Sequence, residues 1–229
     1  FIIRPKLINL FRFRKFLVDD NINSFKRKFS SRITTIDNQL FFLQDSDYSQ
    51  VLLDKNNFQS PSHLHYGNTS NDEVNKMIIK NLIKPGDICV DVGAYIGNYT
   101  LFMASLVGPE GNVYAFEPNK ETILSLNNNI ALNGHENIHL YDYAVGDFTG
   151  SNIFYKVDKS LGATSNSTLI KNEKIAGDLK KYVKEESVSV IQLDKFLENK
   201  KIKFIKIDVE GFELNVLKGA RELIAKFRP

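Results

Sequence analysis

The chain has 229 residues, 42% of them hydrophobic, which is enough for one substantial core in a single main domain. Its single cysteine, Cys89, excludes an intrachain disulfide and suits a reducing compartment, and no run approaches the roughly 20 apolar residues that span a bilayer. The net charge of +3 is unevenly placed: Phe1 to Arg32 holds nine Lys or Arg against two Asp, +7, which leaves the remainder at −4.

The basic opening, FIIRPKLINLFRFRKF, has too many arginines for the apolar region of a secretory signal. Ile3, Leu7, Leu10, Phe11 and Leu17 fall on one helical stripe, with Arg14 inside it and Phe13 and Phe16 outside. Residues 1–32 form an arm open to three readings: peripheral contact of residues 1–18 with an anionic membrane surface, a helix packed on the domain or a partner, or a nucleic-acid arm. RITTIDNQLFFLQ and YSQVLLDKNNF carry β-branched and aromatic runs between Asp-Asn and Asp-Ser-Asp turn signals, which predicts a small antiparallel preface over residues 33–66.

Residues 67–229 read as the main domain. Ser70 followed by Glu73 matches a capping box; Val74, Met77, Ile78 and Leu82 give the apolar face of the helix it opens, and Pro85-Gly86 stops it. Strand and helix then alternate: DICVDVG and NYTLFMASLVG, NVYAFEP and KETILSLNNNIALNG with Gly134 at its end, then IHLYDYAVGD as a third strand. Such alternation predicts an α/β, Rossmann-like, doubly wound and mostly parallel sheet with helices on both faces. Thr149-Gly150 interrupts it. SNIFYKVD reads as an inserted strand, KSLGATSNSTLIKNEKIAGDLKKYVKEE as a polar surface excursion over the site, and SVSVIQL as a return to strand. KFIKIDVEG is the last strand and FELNVLKGARELIAKF its helix, with Gly219 as a tolerated interior weakness. A doubly wound sheet calls for at least one further strand after Pro229, so the last visible strand is expected to present an edge.

The loop VDVGAYIGNYTL holds Gly93 and Gly97. A loop that leaves a strand and opens a helix aims backbone N–H groups at a ligand, and missing side chains let that ligand approach closely. A dinucleotide fingerprint spaces its glycines as G-x-G-x-x-G so that the pyrophosphate touches the second; Tyr95 stands there, and Asp91 just ahead of the first glycine would repel a phosphate. That disfavours a dinucleotide-dependent oxidoreductase. A nucleoside with a cationic tail fits better, and S-adenosylmethionine carries a sulfonium and an ammonium in place of a pyrophosphate.

In open sheets of this kind ligands sit beyond the carboxyl ends of the strands, where the winding reverses. The candidate acids Asp91, Glu117, Asp142, Asp147, Asp208 and Glu210 all fall there. Glu117, in FEPN, lies 20 residues after Gly97, the offset at which a strand-end acid accepts hydrogen bonds from both ribose hydroxyls. Asp91 is placed for the ammonium of the methionine moiety, directly or through water, or as a cap for the loop. Asp147 in AVGD, or the backbone beside Ala144, is placed to read the adenine amino group, against the simpler reading of a Gly-Asp turn. Cys89 reads as a small core residue. His63 and His65 read as solvated loop residues or an acceptor-side base, and His135 and His139 as compensation of a helix dipole.

In that order and at these separations, VDVGAYIGNYTL, FEPN, AVGD and IKIDVEGFELNVLKGA resemble the FkbM-type family of S-adenosylmethionine-dependent methyltransferases, over roughly Tyr66 to Phe227. The IDVEGFE…VLKGA block is more diagnostic than the glycine loop, which fits any class I methyltransferase. The resemblance implies a Rossmann-like sheet, S-adenosylmethionine as cofactor, and methyl transfer to a hydroxyl, often on a sugar or a secondary metabolite. It matches Gly93, Gly97 and Glu117 to family cofactor positions and sets Asp208 beside the transferring methyl. Two departures stand out: Tyr95 replaces the usual Asn after Gly-Ala, and YGNTSND stands where a Tyr-Glu or similar pair commonly precedes the first helix.

Transfer to a hydroxyl calls for a base. Asp208 is the first candidate and Glu210 the second, each with the plainer alternative of an orienting acceptor or a helix-start acid. Two carboxylates are too few to hold Mg²⁺ by themselves, so no metal is assigned. An enzyme methylating base amines would carry an Asn/Asp-Pro-Pro-aromatic turn after the last strand; DVEG stands there, so no specific nucleic acid is expected. The arm alone keeps a nucleic-acid methyltransferase open, and a non-catalytic adenosylmethionine-binding scaffold is the other alternative. The expected location is cytoplasmic, at the inner membrane surface.

Overall fold

The structure is a computed structural model and describes residues 31–36, 39–44, 70–157, 167–170 and 183–229. The basic arm up to residue 30, the run YSQVLLDKNNF, His63, His65, the stretch YGNT and most of the polar excursion lie outside the described residues. β1 (Ser31–Ile36) and β2 (Gln39–Gln44) pair as an antiparallel hairpin, as the turn signals of the preface predict.

α1 (Ser70–Leu82) leads into β3 (Ile88–Val92), α2 (Asn98–Val107), β4 (Asn112–Phe116), α3 (Lys120–Asn133) and β5 (Ile138–Tyr141). After β6 (Ala144–Val145), β7 (Gly150–Val157) and β8 (Val183–Ile191) come α4 (Leu193–Phe196), β9 (Ile202–Ile207), α5 (Glu213–Lys218) and α6 (Arg221–Phe227). Four strands form a parallel sheet in the order β5-β4-β3-β9. The chain winds from β3 outward to β5 and then returns to the other side of β3, so the winding reverses between β3 and β9. Among the described residues β9 pairs only with β3 and presents the expected edge.

Alternation along the strands builds the two layers. Cys89 and Val113 pack with Ile79, Ile83, Met103 and Val107 on the α1–α2 side, and Ala115 packs with Leu126 of α3. Val90, Val92, Tyr114 and Phe116 face the other way, onto Leu193, Val216, Ala220 and Leu223 of α4 to α6. Covered on both faces, β3 and β4 read as near-continuous apolar runs. Burial pushes the Cys89 thiol up to about 12, which makes it an inert core residue.

Three expectations are corrected. The apolar stripe read onto α1 lies outside: Val74, Met77, Ile78 and Leu82 are 48–60% exposed, while Lys76, Ile79 and Ile83 are buried. The helix is apolar on two sides, and spacing cannot say which side meets the sheet. The inner side also takes Lys76, whose ammonium donates to Asn98 Oδ1 at 2.9 Å and lies over the rings of Tyr99 and Phe102.

IHLYDYAVGD is two strands in two sheets. β4 offers partners only as far as Phe116, which pairs with Tyr141, so β5 ends there. Asp142 and Tyr143 carry the chain to β6, which joins β8 in parallel; β8 pairs antiparallel with β7, completing a second sheet of order β6-β8-β7. The last residues of the polar excursion, Val183–Glu186, already belong to β8.

FELNVLKGARELIAKF is broken into α5 and α6 at Gly219-Ala220. Gly219 is a point of close approach rather than a weakness: a Cβ there would lie 1.8 Å from the Gly146 carbonyl oxygen.

Candidate functional site

Four N–H groups of the glycine loop face inward. Gly93 and Ala94 donate to the Phe116 carbonyl at 3.0 Å each, Gly97 to the Ala94 carbonyl at 2.9 Å, and Tyr95 to Glu117 Oε2 at 2.9 Å. The expectation that they point at a ligand is therefore corrected: they tie the loop to the end of β4. Gly93 and Gly97 have φ of 79° and 98°, and Tyr95 between them has φ of 49°, left-handed without a glycine's freedom. A Cβ on Gly93 would lie 1.9 Å from the Asp208 carbonyl oxygen, and one on Gly97 2.5 Å from Leu126 Cδ1. The glycines let β9 and α3 close on the loop.

Glu117 is buried and ties two connections together, its Oε1 accepting the Asn119 N–H at 2.9 Å and its Oε2 that of Tyr95. Burial pushes its carboxyl up to about 7, against the opposing effect of those N–H groups and of Lys206. Each carboxylate oxygen keeps a second lone pair, so the group can still accept from a ligand diol.

Asp91 is fully buried. Thr100 Oγ1 donates to its Oδ2 at 2.6 Å, and Lys206 Nζ lies 3.2 Å from its Oδ1. Lys206 is the register partner of Asp91 across β3 and β9, which puts both on one face of the sheet. The same ammonium donates to the Gly93 carbonyl at 2.8 Å and lies 3.7 Å from Asp208 Oδ2.

A cavity of about 260 Å³ opens at the carboxyl ends of β3, β4 and β9, where the winding reverses. Gly93, Glu117, Ala144, Asp208 and Glu210 line it; Asp91, Gly97 and Asp147 do not. Asp147 is tied elsewhere, with Asn215 Nδ2 donating to its Oδ1 at 3.1 Å and Gln192 Nε2 to its carbonyl at 2.9 Å. His139 sits on β5 with Nε2 2.7 Å from Asn112 Oδ1 and its ring stacked on Tyr114. Among the described residues, no group of three or more His, Cys, Asp or Glu is placed to hold a metal ion.

The turn after β9 is also left-handed, at Glu210 with φ of 52° and Gly211 with φ of 103°. Glu213 Oε1 accepts the N–H groups of Val209 and Gly211 at 3.2 and 3.1 Å. Against the upward push of burial, those bonds hold the Glu213 carboxyl below its ordinary value. Glu210 moves the other way: burial first, then the charges of Asp208 and Glu213, push its carboxyl up, with Lys206 opposing.

Six further wall residues, Tyr99, Tyr143, Phe154, Thr168, Lys206 and Phe212, escaped the sequence reading. Lys206 had a signal, a lysine breaking the apolar run IKFIKI just before its terminal acid. Phe154 and Thr168 had none, because they reach the cavity only through the folding of the second sheet.

Comparison with known proteins places these features in a family. The family model "Methyltransferase FkbM domain" matches residues 91–229. "Methyltransferase 1" from Beauveria bassiana (strain ARSEF 2860) is 28% identical over 146 residues, covering 57% of each chain, so the chain spans little more than half the length of this curated relative. Among solved structures, M. jannaschii TYW2 in complex with AdoMet is 20% identical, with 54% of this chain and 53% of that one covered and a TM-score of 0.35. A SAM-dependent methyltransferase from Agrobacterium tumefaciens is 18% identical, with 50% and 32% covered and a TM-score of 0.35.

Proposed function

The chain belongs to the Methyltransferase FkbM domain family, and from that membership we propose that it is an S-adenosylmethionine-dependent O-methyltransferase whose acceptor is a hydroxyl of a sugar, a glycan or a secondary metabolite. One observation carries the cofactor reading: the N–H groups of Gly93, Ala94, Tyr95 and Gly97 are engaged within the protein, while the acidic residues Glu117, Asp208 and Glu210 line the cavity. Three acidic wall residues, Glu117, Asp208 and Glu210, against the ammonium of Lys206 give the wall a net negative charge, which favours a cationic tail and a ribose diol over a diphosphate. The residues present therefore fit the cofactor.

When bound, the cofactor supplies an electrophilic methyl group on a positively charged sulfur. The chain contributes orientation and proton removal. The ends of β3, β4 and β9, locked by the bonds above, hold the walls at which reacting atoms must meet at about 3–3.5 Å. A carboxylate after β9, Asp208 or Glu210, takes the acceptor's hydroxyl proton as its oxygen forms the new bond, a contribution on the order of 10²–10⁴ in rate. Transfer to oxygen is supported by DVEG, which stands where an amine-gripping turn would be.

Calorimetry with S-adenosylmethionine against NAD separates the cofactor classes. Glu117→Ala should weaken the former by about 10- to 100-fold, the worth of hydrogen bonds to a charged group; unchanged affinity would remove Glu117 from the site. The same measurement has a pH signature. The diol donates to ionised Glu117, and the free carboxyl titrates at about 7. Binding should thus release a proton, and affinity should rise about tenfold from pH 6 to pH 8 and then level off. Glu117→Gln should abolish that rise, and a rise that persists in it would assign the titration to another group.

The arm is proposed to touch an anionic surface through residues 1–18, at the cytoplasmic side of the inner membrane, supported by its local charge and apolar stripe. No helix among the described residues is long and apolar enough to cross a membrane. Full-length protein should co-sediment with phosphatidylserine vesicles at low salt and be released at high salt; absence of low-salt binding rejects the membrane role.

A further inference from the structure

The insertion between β7 and β8 meets the turn after β9 at one buried residue. Thr168 forms an isolated antiparallel bridge with Tyr155 of β7, its carbonyl accepting the Tyr155 N–H at 2.8 Å and its N–H donating to the Tyr155 carbonyl at 3.1 Å. That bridge makes Ser167, Thr168 and Leu169 a wall of the cavity. From this anchored position Thr168 Oγ1 donates to the Glu210 carbonyl at 2.9 Å and accepts the Ile170 N–H at 3.1 Å. Ile170 Cδ1 lies 3.4 Å from where a Cβ on Gly211 would be. The insertion thus clasps both left-handed residues of the turn. Glu210, at φ 52°, holds a backbone state that a non-glycine residue keeps only when its surroundings over-determine it. Among the described residues outside the turn, Thr168 is the one whose side chain bonds Glu210 directly.

We propose that Thr168 is a positioning residue that acts through the Glu210 backbone to hold Glu210 in the cavity wall as the group that takes the acceptor's proton. The inference rests on the methyltransferase reading above and deepens it, because the catalytic geometry then depends on the β7–β8 insertion as well as on the parallel sheet. The hydroxyl proton passes to a Glu210 carboxylate oxygen, the acceptor oxygen's lone pair forms the bond to carbon, and the old carbon–sulfur bonding pair stays on sulfur. The charged groups facing Glu210 are Asp208, Glu213 and Lys206, and the Thr168 bond fixes its placement relative to all three.

The test compares wild type, Thr168→Val and Thr168→Ser, with Glu210→Gln to assign the Glu210 signal. In the free protein, carbon-13 NMR follows the titration of the Glu210 carboxyl; in parallel, label transfer from methyl-labelled S-adenosylmethionine to components of a cell extract is measured with cofactor affinity. Glu210 should titrate above the ordinary carboxylate range in wild type and Thr168→Ser, and closer to that range in Thr168→Val. Transfer should fall about tenfold in Thr168→Val at unchanged cofactor affinity, and Thr168→Ser should restore it. If Thr168→Val does not fold, Thr168→Ala carries the same expectations. A Glu210 titration that superimposes on wild type in the folded variant, or a Thr168→Ser protein as defective as it, overturns the role of Thr168. A wild-type protein that neither binds cofactor nor transfers label defeats the methyltransferase reading itself, and with it the proton role.

Discussion

Gly93→Ala is expected to abolish cofactor binding and to destabilise the fold on the order of 3–5 kcal/mol, combining left-handed backbone strain with overpacking. The new methyl would lie 1.9 Å from the Asp208 carbonyl oxygen, 3.0 Å from its carbonyl carbon and 3.3 Å from Val209 Cγ1, on a backbone with φ of 79°. None of the first two atoms can swing away as a side-chain tip would. Relief requires parting the ends of β3 and β9, and that movement also pulls Lys206 Nζ from the Gly93 carbonyl and Asp208 from the cavity wall. Gly134→Ala is the control. Its φ is 68° but nothing lies within 4 Å of the added Cβ, so only the strain of about 1 kcal/mol applies. Thermal unfolding should show a fall of about 10 °C for Gly93→Ala and a few degrees for Gly134→Ala. Equal melting temperatures for the two would mean that the contact with Asp208 does not constrain the loop.

Lys206→Met is the second large effect, expected to cost about 3–5 kcal/mol because it strands a buried carboxylate. Asp91 is fully buried, and without the ammonium the Thr100 hydroxyl is the one hydrogen-bond donor left to its side chain among the described residues. The Gly93 carbonyl loses its donor in the same step, so the loop and the β9 turn part. The two-residue nature of the effect can be measured: adding Asp91→Asn to Lys206→Met removes the stranded charge and should restore about 1–3 kcal/mol. Chemical denaturation of the four proteins closes the cycle. Strictly additive single effects would show that Asp91 and Lys206 do not act as a pair.

These effects concern residues whose importance was unevenly legible. Gly93, Gly97 and Glu117 stood out because a glycine pair at a strand end, and an acid at the end of the next strand 20 residues on, are fixed by spacing along the chain. Even so, the reason for the glycines was different from the one the loop suggested: their missing side chains admit the Asp208 carbonyl and Leu126, and the N–H groups of Gly93, Ala94, Tyr95 and Gly97 bond inward. Lys206 was visible only as an interruption in an apolar run. Its meaning required the pairing of β3 with β9, which sets it beside Asp91.

The alternation of apolar runs with amphipathic ones was enough to specify a parallel sheet with helices on both faces, and of the strand-end acids Glu117, Asp208 and Glu210 line the cavity at its carboxyl edge. The alternation follows from hydrogen-bond periodicity and turn chemistry, which act over a few residues and survive in any context. Which stripe of α1 turns inward, where the third strand stops, why Gly219 divides a helix and how Thr168 reaches Glu210 were settled by packing. Each of those outcomes depends on the volume and polarity of groups far apart along the chain, brought within a few ångströms only once the two sheets and their helices have closed on each other.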